Sequence, residues 1–200
     1  MNIAVFCSGN GSNLQAIIDA QKKGYIKGEV RLVVSDVPDC FALKRAETAG
    51  IKTFIVTMKQ CPSKQEFERL ILSKLKQENI ELIVLAGYMR LLSPDFINEY
   101  RDKIVNIHPA LLPSFKGMHA IKDALEYGVK VTGVTVHFVT SGIDEGPIIM
   151  QSSVVITRDD TEESLAEAIH REEHKLYPMA IQLFIDGRLK IKGRKVSITD

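Results

Sequence analysis

A pair of polar side chains interrupts an apolar run near the middle of the chain. Asn106 and His108 lie two residues apart in a predicted strand over residues 104–108, so both side chains point to the same face of the sheet. An amide can donate a hydrogen bond to an oxyanion and an imidazole can move a proton, and acyl transfer requires both. Ligands of open α/β sheets bind beyond the carboxyl ends of the strands. The pair therefore indicates a catalytic centre, although satisfied polar residues at a strand end are the simpler alternative.

The turn that contains Asp144 can supply a carboxylate to the same centre. Asp144 stands two residues before Gly146, between two predicted strands. If the fold brings Asp144 to His108, its charge should orient the imidazole and raise the imidazole pKa above the ordinary value. A carboxylate in a glycine-flanked turn also has a purely structural explanation. The spacing alone leaves both interpretations open.

A glycine-rich segment, Gly9–Asn13, joins a predicted strand at residues 2–7 to a predicted helix at 12–23. Glycines let the backbone approach an anion, and a helix N-terminus offers free N–H groups and the positive end of the helix dipole. Ser12 and Asn13 add side-chain donors. The segment lacks the lysine of a Walker A loop, and Leu14 stands where GxGxxG needs its third glycine. It therefore predicts a site for a phosphate monoester, with an ordinary strand-to-helix turn as an equally weighted alternative.

The histidines form no recognisable metal-binding motif. His108, His119 and His137 could be imagined around a zinc ion, but the sequence contains neither HExxH nor CxxC. His170 and His174 lie one turn apart on a charged helix, where an exposed polar face is the common outcome. We therefore predict no metal.

The elements around these segments predict a doubly wound α/β fold. Five short β-rich runs alternate with helical ones, at residues 2–7, 29–35, 53–56, 81–86 and 104–108. Parallel neighbours need crossover helices, so this alternation predicts a mostly parallel, Rossmann-like sheet.

The remainder of the chain predicts an antiparallel C-terminal extension. Long strands are predicted at residues 131–140 and 147–156, then a helix at 161–184 that Pro178 should kink, then a hairpin at 188–198. No linker or repeat divides the chain. We therefore expect one domain over residues 1–200, with halves of about 1–108 and 109–200.

The composition narrows the class of protein. Lys and Arg total 26 against 25 Asp and Glu, so no basic surface is predicted for a nucleic acid. The first residues lack the pattern of a secretory signal, and no apolar run reaches the roughly 18 residues of a membrane span. The three cysteines form no CxxC pair and are typical of a reducing compartment. We predict a cytoplasmic monomer or homodimer that acts on small molecules, without nucleic-acid or membrane partners.

With these segments in place, the sequence resembles the folate-dependent formyltransferase family over essentially all 200 residues. The matching motifs lie at residues 8–13 (SGNGSN), 86–90 (AGYMR), 106–113 (NIHPALLP), 133–139 (GVTVHFV) and 144–149 (DEGPII), with the pairs Glu173-His174 and Tyr177-Pro178. NIHP…LLP with the later D-x-GPI is specific to the wider family, and GNGSN narrows the resemblance to members that formylate glycinamide ribonucleotide. One departure is Lys116, where many relatives carry proline.

The resemblance implies that 10-formyltetrahydrofolate, as cosubstrate, gives its formyl group to the amine of 5-phosphoribosylglycinamide in purine biosynthesis. The transfer would be direct, through a tetrahedral intermediate, without metal. Asn106, protonated His108 and Asp144 would be catalytic. The residues that the resemblance assigns to the phosphorylated substrate are Gly11, Ser12, Asn13 and Glu173. Those that it assigns to the folate are Lys64, Met89, Arg90, Leu91, Leu92, Ile97, Asn106, Ile143 and Asp144.

Three other functions compete with this one. Methionyl-tRNA formyltransferase and formyltetrahydrofolate deformylase share the chemistry, but the first normally has an additional basic C-terminal domain and the second an N-terminal regulatory domain, so we expect neither. A nucleotide-binding module without catalysis would use the glycine-rich segment alone. It would leave Asn106, His108 and Asp144 unexplained, and it would bind no folate.

Overall fold

The computed structural model describes residues 1–199, which form two compact units, Met1–Val105 and a second that begins at Asn106. The first unit is an alternating α/β structure. Its strands are β1 (Asn2–Cys7), β2 (Glu29–Ser35), β3 (Lys52–Ile55) and β4 (Leu82–Leu85). Its helices are α1 (Ser12–Lys22), α2 (Phe41–Thr48), α3 (Lys64–Gln77) and α4 (Pro94–Glu99), with a 3₁₀ turn at Met58–Gln60.

The strands of the first unit pair in the order β3-β2-β1-β4, and every pair is parallel. Residues Ile3–Cys7 of β1 and all of β4 are buried, as expected for parallel strands that helices cover on both faces. Helices α3 and α4 each begin directly after a serine whose side chain caps the helix N-terminus. Ser63 accepts a hydrogen bond from the backbone N–H of Glu66, and Ser93 accepts one from that of Phe96.

The second unit carries the antiparallel part. Its elements are β5 (Ile104–His108, which starts in the first unit), α5 (Ala120–Tyr127), β6 (Val131–Phe138), β7 (Ile148–Val155), α6 (Glu162–Ile185), β8 (Leu189–Lys192) and β9 (Lys195–Ile198). The strand order is β5-β6-β7-β9-β8, in which β6 and β7 pair antiparallel, as do β8 and β9. The predicted fold class is therefore confirmed.

Some boundaries differ from the predicted ones. The strands predicted at 131–140 and 147–156 are shorter, because residues 139–147 form the turn that carries Asp144. Helix α6 is continuous through Pro178, which lies in its fifth turn. Within residues 1–199, no helix is long and apolar enough to cross a bilayer.

A buried carboxylate joins three elements of the first unit. Glu78 ends α3, and its side chain is 7% exposed. Its oxygens lie 2.8 Å from Lys52 Nζ, 2.9 Å from Lys74 Nζ and 3.7 Å from Arg31 Nε. Hydrogen bonds from Lys52 and Lys74 lower the pKa of Glu78 to about 2, against the effect of burial.

Glu78→Gln should lower the free energy of unfolding near neutral pH by about 1–2 kcal/mol, because charged hydrogen bonds are lost to partly exposed partners. The pKa of a glutamate in an unfolded chain is about 4.3, above its value in the folded protein. The stabilisation is therefore fully present above that pH and is lost as the pH falls toward 2. Urea unfolding from pH 7 to pH 3 should show the gap between wild type and variant closing. Glu126→Gln, which removes an exposed partner of Lys122, should change little at any pH. A difference in unfolding free energy that stays the same at every pH would contradict the stabilising role of the ionised Glu78 carboxylate.

Candidate active site

The second unit brings together the polar residues that the sequence places at the end of β5. Asp144, from the turn after β6, has its Oδ2 3.4 Å from Nδ1 of His108. Asn106 Nδ2 lies 3.2 Å from Nε2 of His137, which projects from β6. Asp144 Oδ1 is 3.7 Å from the same His137 nitrogen. The cluster of Asn106, His108, His137 and Asp144 is thus one contiguous group, and we call it the β5–β6 cluster.

The His108 ring is held in one tautomer by the loop that follows β5. Nε2 lies 2.8 Å from the carbonyl oxygen of Phe115. A carbonyl only accepts, so Nε2 carries the hydrogen and donates. In the neutral ring Nδ1 therefore bears a lone pair and faces the Asp144 carboxylate. A proton taken up at Nδ1 would be stabilised there.

The expected rise in the His108 pKa is wrong. Burial lowers the pKa of His108 below its ordinary value, and this outweighs the Phe115 hydrogen bond and the Asp144 charge, both of which raise it. His137 opposes the charged form as well. The His108 side chain is only 5% exposed, so desolvation of the imidazolium is the dominant effect.

Asp144 remains ionised because neighbouring groups of the protein stabilise its negative charge. Burial works to raise its pKa, but the His137 ring, the Gly117 N–H at 2.9 Å and the charge that His108 carries when it is protonated together lower the pKa below the ordinary value. Its backbone φ is +50°, a conformation that aspartate and asparagine tolerate better than most residues. The carboxylate can therefore act as a fixed negative charge beside the imidazole.

His137 belongs to the β5–β6 cluster, although no role was predicted for it. Its Nδ1 lies 2.8 Å from the carbonyl oxygen of Phe138 and so carries the hydrogen. Its Nε2 then accepts from the Asn106 amide, which fixes which end of that amide is the NH₂ group. The sequence feature that indicates His137 is the same one that indicates Asn106 and His108, namely a polar residue in an otherwise apolar strand.

The turn reaches the β5–β6 cluster through a close backbone approach at Gly146. A Cβ on Gly146 would lie 1.6 Å from the carbonyl oxygen of Phe138. Only glycine allows this approach. Nearby, Lys116 Nζ contacts Glu145 Oε1 at 2.8 Å, so Lys116 ties its loop to the same turn.

A buried hydroxyl holds the start of that loop. Thr135 Oγ donates to the carbonyl oxygen of Ala110 (2.7 Å) and accepts from the Leu112 N–H (3.0 Å). Gln151 Nε2 donates to Leu112 O and to Thr135 Oγ. These bonds fix the loop whose later residues contact His108 and Asp144.

In the first unit, the predicted phosphate loop has the expected strand-to-helix geometry. Gly11 precedes α1 with φ +75°, and Ser12 and Asn13 are the first residues of that helix. No acidic residue stands in the first turn of α1. The positive end of the helix dipole is therefore not offset by a side chain of that turn.

The predicted folate-binding segment at residues 89–92 is tethered at both ends to buried carboxylates. In its first half, Arg90 Nε donates to Asp36 at 2.6 Å, and the same carboxylate accepts from Ser8 Oγ at 2.5 Å. After it, Glu68 accepts from the N–H and hydroxyl of Ser93. The segment is thereby fixed between two elements of the first unit.

The apolar side chains of this segment are exposed at two positions. Met89 is 61% and Leu91 63% exposed, whereas Ile97, on α4, is buried. Lys64 Nζ lies 3.8 Å from Glu68 Oε1. The segment therefore offers an apolar surface on a fixed backbone.

The remaining predicted residues lie in the second unit. Glu173 is buried on α6, and its carboxylate is 4.0 Å from His170 Nε2. Ile143 is 51% exposed, next to Asp144. Among residues 1–199, no three or more His, Cys, Asp or Glu side chains are grouped so as to hold a metal ion.

Comparison with known proteins gives one consistent answer. A family model described as formyl transferase matches residues 1–181. The chain is 44% identical over 191 residues to phosphoribosylglycinamide formyltransferase of Escherichia coli K12, covering 96% of this chain and 90% of that protein. It is 44% identical over 192 residues to the enzyme of the same name from Bacillus subtilis 168, covering 96% and 97%. The crystal structure of glycinamide ribonucleotide transformylase 1 from Symbiobacterium toebii superimposes with a TM-score of 0.98 at 46% identity, covering 100% of this chain and 94% of that one. The chain also matches longer trifunctional purine biosynthetic proteins of animals, of which it spans 14–20%.

Asp144→Asn should lower the His108 pKa further, because the carboxylate is a cause that raises it and asparagine keeps the shape and the turn conformation. NMR titration of labelled histidine in both proteins measures the effect. The ring of His170, which lies on α6, serves as the internal control in the same spectra. An unchanged His108 pKa would make Asp144 a turn residue only.

Proposed function

The chain belongs to the formyl transferase family, and from that premise we propose that it transfers the formyl group of 10-formyltetrahydrofolate to the amine of 5-phosphoribosylglycinamide. The observation that carries the proposal is the β5–β6 cluster, in which an amide donor, two imidazoles and a carboxylate converge. Acyl transfer needs an oxyanion donor and a route for one proton, and this cluster can supply both.

The folate supplies a formyl group bonded to a nitrogen that leaves as an amine. We assign it to the segment at residues 89–92, where exposed apolar side chains stand on a tethered backbone. Such a surface fits a flat aromatic ring, with polar edges met by backbone groups. Lys64, Ile97 and Ile143 are carried over to the same role by resemblance.

Asn106 acts as the oxyanion donor. His137 accepts one hydrogen of its amide and thereby orients the NH₂ group. The second hydrogen is available to the formyl oxygen as negative charge develops there during attack by the substrate amine. Because His137 fixes the amide before the reaction, little reorganisation is needed in the transition state.

His108 moves the proton, and its starting state differs from the one expected from the sequence. Its lowered pKa favours a ring that is neutral at rest, rather than an imidazolium. Nδ1 takes the proton that the attacking amine loses, and Asp144 stabilises the resulting charge. His108 then returns the proton to the departing folate nitrogen, so the ring ends neutral as it began.

The phosphate of the substrate is assigned to Gly11, Ser12 and Asn13, whose N–H groups stand at the start of α1. Glu173 is proposed to contact the amine or the ribose. We also propose a cytoplasmic location, because Cys7, Cys40 and Cys61 are all free thiols. Either a monomer or a homodimer is compatible with these roles.

Purified protein should release tetrahydrofolate when supplied with 10-formyltetrahydrofolate and glycinamide ribonucleotide, and His108→Ala should reduce kcat by about a hundredfold or more. Binding of both substrates, measured by calorimetry, should change much less, because the role belongs to the transition state. Turnover with tRNA or water as acceptor, but none with glycinamide ribonucleotide, would assign the chain to another activity of the family. Near-normal turnover of the variant would remove His108 from the mechanism.

Ser12→Ala and Asn13→Ala should each raise KM for glycinamide ribonucleotide by about tenfold, as expected for losing one hydrogen bond to a charged group. KM for the folate should stay constant, and inorganic phosphate should compete with the substrate more strongly in wild type than in either variant. The dephosphorylated glycinamide riboside is the matched control, since neither change should affect its turnover. Equal use of riboside and ribonucleotide by wild type would exclude this loop as the phosphate site.

A further inference from the structure

The predicted phosphate loop contains no cation of its own. Residues Gly9–Asn13 are glycine, serine and asparagine, whereas a phosphate monoester carries a charge of roughly −1.5 to −2 near pH 7. N–H groups and a helix dipole stabilise such a charge only partly, because their own charges are fractional. A neighbouring side chain that brings a full positive charge would therefore have a clear use.

Arg45, from α2, reaches into this loop with three hydrogen bonds. Its Nε donates to the carbonyl oxygen of Asn10 (3.0 Å), and its Nη2 donates to Asn10 Oδ1 (3.2 Å). Its Nη1 donates to Oε1 of Gln15, one turn into α1 (3.2 Å). One guanidinium thus fixes both the backbone and the side chain of Asn10 and joins the loop to the helix that follows it.

The charge of Arg45 is not neutralised by a carboxylate. All three of its acceptors are neutral amide oxygens, and within the described part of the chain no acidic group lies in ion-pair range of it. Arg69 and Arg90 of the same unit differ, since Arg69 pairs with Glu66 and Arg90 with Asp36. Arg45 therefore keeps a full positive charge beside the loop.

The position of Arg45 is fixed by the packing of α2 against the loop. Its guanidinium lies 4.6 Å from the centroid of the Phe41 ring, a cation–π distance. The Ala42 N–H donates to the carbonyl oxygen of Gly9 (3.1 Å). A Cβ on Gly11 would lie 2.7 Å from that of Ala42, so the helix and the loop approach as closely as a glycine permits.

We propose that Arg45 is a positioning residue for the phosphate of the substrate. It holds Asn10 so that the N–H groups of Gly11, Ser12 and Asn13 keep their direction, and its uncompensated charge attracts the dianion without touching it. The proposal rests on the assignment of the phosphate to this loop. A residue that only stabilised the loop would lack the second, electrostatic effect, and that effect depends on salt.

The test compares Arg45→Gln with Arg45→Lys, using glycinamide ribonucleotide and its dephosphorylated riboside. Arg45→Gln removes the charge and should raise KM for the ribonucleotide by about tenfold, with little change in kcat, in KM for the folate or in KM for the riboside. The rise of that KM with added salt should be steeper in wild type than in this variant. Arg45→Lys keeps the charge and loses the planar fork, so it should retain the salt dependence with a smaller rise in KM.

Arg69→Gln is the matched control, because it removes an exposed arginine of the same unit that already has a carboxylate partner. It should leave KM for the ribonucleotide and KM for the riboside unchanged. Thermal unfolding of each variant establishes that it is folded, and Arg45→Lys carries the test if Arg45→Gln is not.

Two results would overturn the inference, and they have different meanings. If wild type prefers the ribonucleotide to the riboside but Arg45→Gln keeps that preference and the salt dependence, Arg45 has no part in phosphate binding. A KM increase of equal size for both substrates would likewise reduce Arg45 to a structural role. If wild type itself does not distinguish the two substrates, the phosphate-loop assignment fails first, and this inference fails with it.

Discussion

The carboxylate of Asp144 is the point at which three segments of the second unit meet. It accepts the Gly117 N–H from the loop after β5, and it lies 3.4 Å from His108 on β5 and 3.7 Å from His137 on β6. The carboxylate is 12% exposed, and the Gly117 hydrogen bond and the two imidazoles beside it offset the cost of burying its charge. The charge that serves the imidazole therefore depends on the same contacts that fix the loop and the turn, so the site and the local fold are one network.

The charge state of His108 follows from a balance between burial and that carboxylate. Burial is the larger effect and keeps the ring neutral, while Asp144 limits how far the pKa falls. A ring made permanently charged by its neighbour would be a poor proton acceptor. A ring buried without a carboxylate would hold a proton too weakly. The proposed role of His108, to take a proton and return it, needs a ring between these limits.

The sequence predicts most of the fold and part of the site. The parallel strands follow from the alternation of apolar runs with helices, and the shared face of Asn106 and His108 follows from strand periodicity alone. Arg45 was not found, because its partners are contributed by other elements and become neighbours only in the tertiary structure. His137 carries the same signal as His108, a polar side chain in an apolar strand, but its contact with Asn106 likewise forms only in the tertiary structure. The direction of the His108 pKa was wrong for a related reason, since the depth of burial is set by surrounding elements and not by adjacent residues.

Both units position a loop by the same means, a backbone approach that admits no side chain. Gly11 packs against Ala42 in the first unit, and Gly146 packs against the Phe138 carbonyl in the second. Gly11 has a positive φ, which alone would favour glycine at that position. Gly146 does not have a positive φ, so its backbone conformation does not explain why glycine stands there. Steric proximity, rather than backbone dihedral, is therefore what the two glycines share. Glycine in such a loop fixes the distance between a loop and its scaffold, and polar side chains such as Arg45 can then fix its orientation.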